Sequence, residues 1–166
     1  MENKIEIVLT REQALLWLIV DHFDTTEAWG DPLKMDPFLI FIMGGYRRSL
    51  PPGCWIKIHC GYKTNGHADK SMHYEAKAND FHVEGMSPVT AERYLMKYLM
   101  NVKLVMGQKL RLIDYVGLGI YPDWVDPGFH LDTRGKRASW AFVDGQQVAY
   151  ELGLKRLKEK YGEQNG

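Results

Sequence analysis

His73 and Asp80 stand seven positions apart in the segment Ser71-Met72-His73-Tyr74-Glu75-Ala76-Lys77-Ala78-Asn79-Asp80, and no other feature constrains the chain as much. Ala76, Ala78 and Asp80 share one parity, so on an extended strand they point to one face. Small side chains there leave room over the backbone. A loop just ahead of the strand can swing the His73 imidazole back toward the Asp80 carboxylate. Nitrogen plus carboxylate oxygen is a mixed ligand set that zinc accepts. Two ligands do not make a site, and the third candidate lies in Gly128-Phe129-His130-Leu131-Asp132-Thr133. Alternation puts Phe129, Leu131 and Thr133 on one face and His130 and Asp132 on the other, the pattern of a half-buried strand. His73, Asp80 and His130 supply three protein ligands and leave a fourth position for water, the arrangement of a catalytic zinc site. Asp132 has two roles open to it: orienting a ligand imidazole or capping a strand end.

The 166 residues suit one domain, 1–166, with a real core. Basic and acidic residues number 21 each, so no global basic field exists and nucleic acid is not an expected partner. On one strand Cys54 and Cys60 would stand roughly 20 Å apart, beyond disulfide reach, and two reduced thiols are expected. The N-terminus carries no signal-peptide pattern. The longest apolar runs, 14–20 and 38–43, are too short to cross a bilayer. The expectation is a cytoplasmic monomer without membrane insertion.

Patterning predicts a strand at Ile5–Leu9, then a helix capped by Thr10 that carries Ala14, Leu15, Trp17, Leu18 and Phe23 on one stripe. A second helix opens at Pro37 and runs Phe38 to Arg48, and a strand spans Trp55–Cys60. A further strand runs from the Asp80 segment to Val83. Ser87 caps a helix with Pro88 in its first position; it reaches Met100 or Met106, where Gly107 can close it. Strands follow at Asp114–Tyr121, Phe129–Thr133 and Trp140–Val143, and a helix at 145–161. Gly117 and Gly119 clear one face of the first of these strands for another backbone or a substrate. The order of elements is that of an α+β fold.

Ser71-x-His73-x-x-Ala76-x-Ala78-x-Asp80 resembles the Ser-x-His-x-x-Gly-x-Ala-x-Asp signature of the zinc D-Ala-D-Ala peptidase family. That superfamily also contains the hedgehog signalling domain and several phage and bacterial murein peptidases. Ile58-His59-Cys60-Gly61-Tyr62-Lys63 resembles the family's Ser-Gly-Tyr-Arg turn. Gly117-Leu118-Gly119-Ile120-Tyr121-Pro122, the segment 129–134 and Trp140 are similar to its closing segment. The resemblance covers about residues 53–143 and implies a small antiparallel sheet flanked by helices. It implies His73, Asp80 and His130 as Zn2+ ligands. It also implies hydrolysis of a peptide bond in peptidoglycan stem peptides, by an endopeptidase or a D,D-carboxypeptidase of endolysin type. A phage-encoded enzyme would reach the wall through a holin; otherwise it would act on cytoplasmic muropeptides. The chain has Ala76 at the signature glycine, a mild change if φ there is negative. Lys63 replaces the turn arginine and becomes the candidate to steady the substrate carbonyl. Pro127 stands where many members carry a carboxylate, which leaves Asp126 as the candidate general base. Two rivals stay open: a catalytically degenerate zinc-stabilised binding domain, and a phage structural or assembly protein of the same fold.

Overall fold

The computed structural model describes Phe23, residues 27–105 and residues 107–162. The strand expected at Ile5–Leu9 and the helix expected after Thr10 lie outside these residues, apart from Phe23. In chain order the described elements are α1 (Pro37–Ser49), β1 (Trp55–Cys60), a 3-10 turn (Met72–Glu75), β2 (Ala78–Glu84), α2 (Pro88–Met100), β3 (Val102–Val105) and β4 (Gln108–Arg111). A second 3-10 turn (Leu112–Asp114) leads to β5 (Gly117–Tyr121), β6 (Gly128–Asp132), β7 (Ala138–Val143), β8 (Gln146–Val148) and α3 (Tyr150–Tyr161). The fold is α+β. Among the described residues no helix is long and apolar enough to cross a membrane.

The sheet is larger than a small antiparallel one, and it is mixed. Its six strands run in the order β1-β2-β6-β5-β7-β8, with β5 and β7 parallel and every other pair antiparallel. The parallel pair arises because the short connection 133–137 hooks around the start of β5. Gly135 N–H donates to the Tyr115 carbonyl at 2.9 Å and Ala138 N–H to the Val116 carbonyl at 3.0 Å. The chain thus re-enters the sheet on the far side of β5. β8 takes residues expected in the last helix, and the cause is local. Asp144 and Gly145 both have positive φ, 50° and 77°, and they join Val143 to its partner Gln146. Asp-Gly is the preferred dipeptide for a two-residue hairpin turn. Gly107 likewise does not close α2, which ends at Met100. Asn101 and the β-branched Val102 begin a hairpin instead, and Val105 pairs with Gln108 across its tip.

The two sheet faces divide the chemistry. Phe81, Leu118, Ile120, Phe129, Leu131 and Ala141 are buried in one apolar core. On that side the Tyr46 ring of α1 meets Phe81 with centroids 6.1 Å apart, and its hydroxyl donates to the Ala91 carbonyl of α2 at 2.9 Å. Cores of this kind supply most of the driving force for folding. Asp80, His82, His130, Asp132, Tyr121 and Trp140 have the other parity and line the opposite face. Cys54 and Cys60 are both free, as expected.

Glu92 of α2 is a charged group inside the helical layer. It accepts a 2.8 Å hydrogen bond from the Tyr150 hydroxyl, which ties α2 to α3. Burial raises the Glu92 carboxyl above its ordinary value, against the opposing pull of Tyr150 and Lys158. A carboxyl with a higher pKa folded than unfolded stabilises at pH below its unfolded value and loses that contribution as pH rises through its folded value. Glu92→Gln keeps an acceptor for Tyr150 and removes the titration. The expected result is a thermal midpoint equal to wild type at about pH 4 and above it at about pH 7, read by circular dichroism.

Candidate metal centre

β2 and β6 carry most of the site. Their register sets Asp80 opposite His130 and Ala78 opposite Asp132. From the other side β5 sets Gly119 opposite His130 and Gly117 opposite Asp132. A Cβ at Gly117 would come within 2.7 Å of both Asp132 carboxylate oxygens, and one at Gly119 within 3.0 Å of the Trp140 indole. The space cleared by these glycines is therefore filled by Asp132 and Trp140. It does not receive a second backbone.

His73 comes from the 3-10 turn. The Ser71 hydroxyl accepts from His73 N–H at 3.3 Å and caps that turn. The turn ends at Ala76, whose φ is 57°. Ala76 therefore does not lie on the strand with negative φ; it occupies the left-handed region that favours glycine. Three contacts then fix this loop to the rest of the sheet. Asp36 N–H donates to the Ala76 carbonyl at 2.9 Å, Thr133 N–H donates to the Lys77 carbonyl at 3.0 Å, and the Thr133 hydroxyl donates to the Asp36 carboxylate at 2.5 Å. Asp36 also caps α1 by accepting from Leu39 N–H at 3.2 Å. One carboxylate thus joins the start of α1 to the end of β6, and its own N–H holds the loop that carries His73.

The three side chains singled out by spacing come together. His73 Nε2 lies 3.4 Å from Asp80 Oδ2 and 3.3 Å from His130 Nδ1, and His130 Nδ1 lies 2.8 Å from Asp80 Oδ1. All three residues are buried. The outer nitrogen of each imidazole faces a group that can only accept. His73 Nδ1 lies 2.6 Å from the Gly61 carbonyl, and His130 Nε2 lies 3.0 Å from Asp132 Oδ2. Those nitrogens carry the protons, so in the neutral rings His73 Nε2 and His130 Nδ1 present lone pairs toward Asp80. Asp132 thus orients the His130 imidazole. It is itself gripped by Arg134, whose Nε donates at 2.7 Å and Nη2 at 2.5 Å. Desolvation opposes the Asp132 charge, but Arg134 and His130 outweigh it and hold the carboxyl down at about 2.

The cluster attracts positive charge. Burial alone would lower the His73 imidazole, yet its hydrogen bonds to Asp80 and Cys60 and the charge of Asp80 lift it to about 10. His130 is raised in the same way by Asp132 and Asp80, against burial. Asp80 is depressed below the carboxylate range by both imidazoles, again against burial. Metal ions compete with protons for such groups.

Two further residues belong to the cluster and were not singled out by spacing. Cys60 Sγ lies 3.7 Å from His73 Nδ1 and 3.5 Å from His67 Nε2, and the His67 ring stacks on His73 with centroids 4.2 Å apart. Ligand atoms of Cys60, His67, His73 and Asp80 all lie within 4.8 Å of one another. Cys60 reaches this face because a β-bulge between Ile58 and Cys60 shifts the register, pairing Cys60 with Asp80. A bulge of that kind re-aims side chains and leaves no mark in strict alternation.

The ligand set opens onto a cleft of about 440 Å³, walled by His67, Tyr121, Trp124, Arg134 and Trp140 among others. Lys63 and Asp126 are not among its lining residues. Lys63 is exposed and meets His73 through its backbone, N–H to carbonyl, at 3.3 Å. Asp126 lies instead beside His59 and His82. Lys70 and Arg134 are the cations that line the cleft, and Arg134 also lies over the Trp140 ring at 4.8 Å.

Fold and site together define an α+β protein with a buried Cys/His/Asp cluster able to hold a metal ion. No family model matches the chain, and neither does a curated protein or a solved structure.

Two outcomes are expected from this geometry. Asp132→Asn removes the carboxylate that fixes the His130 tautomer, and affinity for a divalent metal ion at this cluster should fall ~10–100-fold, read by competition with a chromophoric chelator. Ala76→Gly relieves left-handed strain of ~1 kcal/mol but frees the unfolded chain by a similar amount. Chemical denaturation should therefore find it within about 1 kcal/mol of wild type, and Ala76→Val destabilised by more than that.

Proposed function

We propose that the cluster holds a zinc ion through His73, Asp80 and His130, and that the protein hydrolyses a peptide bond in peptidoglycan stem peptides. The observation that carries the reading is the convergence of His73 Nε2, His130 Nδ1 and the Asp80 carboxylate within 3.4 Å, each imidazole held at its other nitrogen. Zinc bonds of ~2.0–2.1 Å imply tetrahedral ligand–ligand separations of ~3.3 Å. The separations here are 3.3 Å, 3.4 Å and 2.8 Å, so the residues fit the ion with small side-chain adjustments. Nitrogen and oxygen donors suit that metal. The hedgehog-type fold and the peptidase class rest on the motif resemblance.

A zinc ion bound there supplies Lewis-acid polarisation of a carbonyl and activation of water. The chain's own groups do the remaining work. Arg134 presents positive charge on the cleft wall, the place for steadying a carbonyl oxygen that Lys63 was expected to fill. His67 lines the same cleft with its ring stacked on His73, and would be the group to take up a proton beside the ligand set. Tyr121 and Trp140 give the cleft apolar walls against which a stem peptide can lie.

One observation favours a second reading, a non-catalytic zinc-stabilised domain. Cys60 and His67 stand close enough to His73 and Asp80 to complete a four-ligand shell, and closed shells belong to structural sites. The hydrogen bond from His73 Nδ1 to Gly61 argues against it, because that nitrogen, the one nearer Cys60, already carries a proton.

The two readings separate experimentally. Metal-loaded protein is incubated with purified muropeptides, and products are followed by chromatography and mass spectrometry. On the hydrolase reading, wild type releases stem-peptide fragments, His130→Ala loses both zinc and turnover, and Cys60→Ala keeps both. Loss of zinc from Cys60→Ala, with no turnover by wild type, would establish the closed site instead.

A further inference from the structure

A second group of metal-ligating side chains lies next to the first on the same sheet face. It consists of His59 on β1, His82 on β2 and Asp126 in the β5–β6 connection, and one ligand atom from each lies within 4.8 Å of the others. His59 Nε2 faces His82 Nδ1 at 2.6 Å. The rest of His82 is arranged as in a metal ligand. Its Nε2 lies 3.0 Å from Glu84 Oε1, an acceptor, so the proton sits on Nε2 and the Nδ1 lone pair points at His59. A carboxylate behind an imidazole is the usual outer support of a ligating histidine.

Three backbone features bring the group together. His82 and Asp80 are two apart on β2 and share a face. The bulge that turns Cys60 toward His73 leaves His59 as the extra residue of β1, and its ring stacks on His82 with centroids 4.7 Å apart. The β5–β6 connection is laid over β2 at Gly128, where a Cβ would meet the Phe81 carbonyl at 2.3 Å. That close approach sets Asp126 beside the two histidines. Trp124 of the same connection packs against His59, with ring centroids 6.3 Å apart, and stacks on Tyr121 at 4.1 Å.

We propose that His59, His82 and Asp126 form a second binding site for a borderline first-row divalent cation such as Zn2+, Co2+ or Ni2+. Two imidazole nitrogens and one carboxylate oxygen are the donor set such ions take. His59 is half-buried and Asp126 exposed, so the remaining coordination positions are open to water. When the ion binds, neutral His59 changes tautomer, giving up its Nε2 proton to solvent and taking one on Nδ1, and both facing lone pairs go to the metal. The bound ion joins three separate elements of the fold. It fastens the connection carrying Trp124 to β1 and β2, and so fixes one wall of the cleft.

The test is metal stoichiometry, independent of any activity. Protein stripped by chelation is titrated with Zn2+ by calorimetry, and bound metal is counted by plasma mass spectrometry after gel filtration. Wild type is expected to take two ions per chain. His59→Ala and Asp126→Asn should each lose one of them and retain the other, and the part of the tryptophan fluorescence change that Trp124→Phe abolishes should vanish with the lost binding phase. Glu84→Gln should weaken that same phase by ~10-fold or more. His130→Ala should lose the other ion and keep this one, so failure of the first site and failure of the second are read separately. His59 is only half-buried, and circular dichroism serves as the check that its variant folds. A single ion bound by wild type, lost in His130→Ala and kept in His59→Ala and Asp126→Asn, overturns the proposal. So does a second phase that survives in both His59→Ala and Asp126→Asn.

Discussion

Asp80 is a carboxylate taken out of water with an imidazole nitrogen on either side of it, and the polar face of the sheet is arranged around that charge. An unpaired ion in such a place costs several kcal/mol even after relaxation. Here His73 and His130 offset the cost from two different parts of the chain, 3.4 Å and 2.8 Å away. Each is itself held from behind, His73 by a backbone carbonyl and His130 by Asp132. Asp132 is then neutralised by Arg134, and Arg134 lies over Trp140. The charges alternate along this series. No member can be removed without leaving a neighbour unpaired in a dehydrated setting.

Much of this was legible because it is local. Alternation of side chains along Phe129–Asp132 reports which residues share a face, but β6 is buried at all five residues and is not the half-buried strand expected, because Arg134, Trp140 and the imidazole cluster cover its polar face. β1 occupies the predicted stretch Trp55–Cys60, where β-branched and aromatic residues alternate with polar ones. Ser87 and Pro88 open α2 as capping chemistry requires, the Ser87 hydroxyl accepting from Thr90 N–H at 3.2 Å. The spacing of His73 and Asp80 placed one residue in a loop and the other on a strand, and both are there.

What stayed hidden depends on partners remote in sequence or on backbone angles. A bulge has no residue signature, so nothing in the alternation along Trp55–Cys60 indicates that neighbouring His59 and Cys60 both reach the polar face. The parallel pairing of β5 with β7 depends on where a five-residue connection finds carbonyl partners, Tyr115 and Val116. Asp126 was chosen for its nearness to His130 along the chain, but the intervening turn carries it to His59 and His82. Ala76 shows the converse. Its residue type argues for ordinary backbone, and the left-handed angle is imposed by hydrogen bonds to Asp36 and His73. The Asp144-Gly145 turn, by contrast, carried a readable signal that a helical reading of the following charged stretch overrode.

The pairing of β2 with β6 joins Asp80 to His130 across fifty positions. The intervening chain builds α2 and then a two-stranded ladder, β3 with β4, that forms no part of the main sheet. The entropy of closing an excursion grows only with the logarithm of its length, by about 0.6 kcal/mol per doubling. Added residues at the tip of that ladder would cost little and would not re-aim either ligand. The chain thus has a port where evolution or a protein engineer can graft new sequence, such as an appendage that recognises a different surface, while the sheet keeps its chemistry.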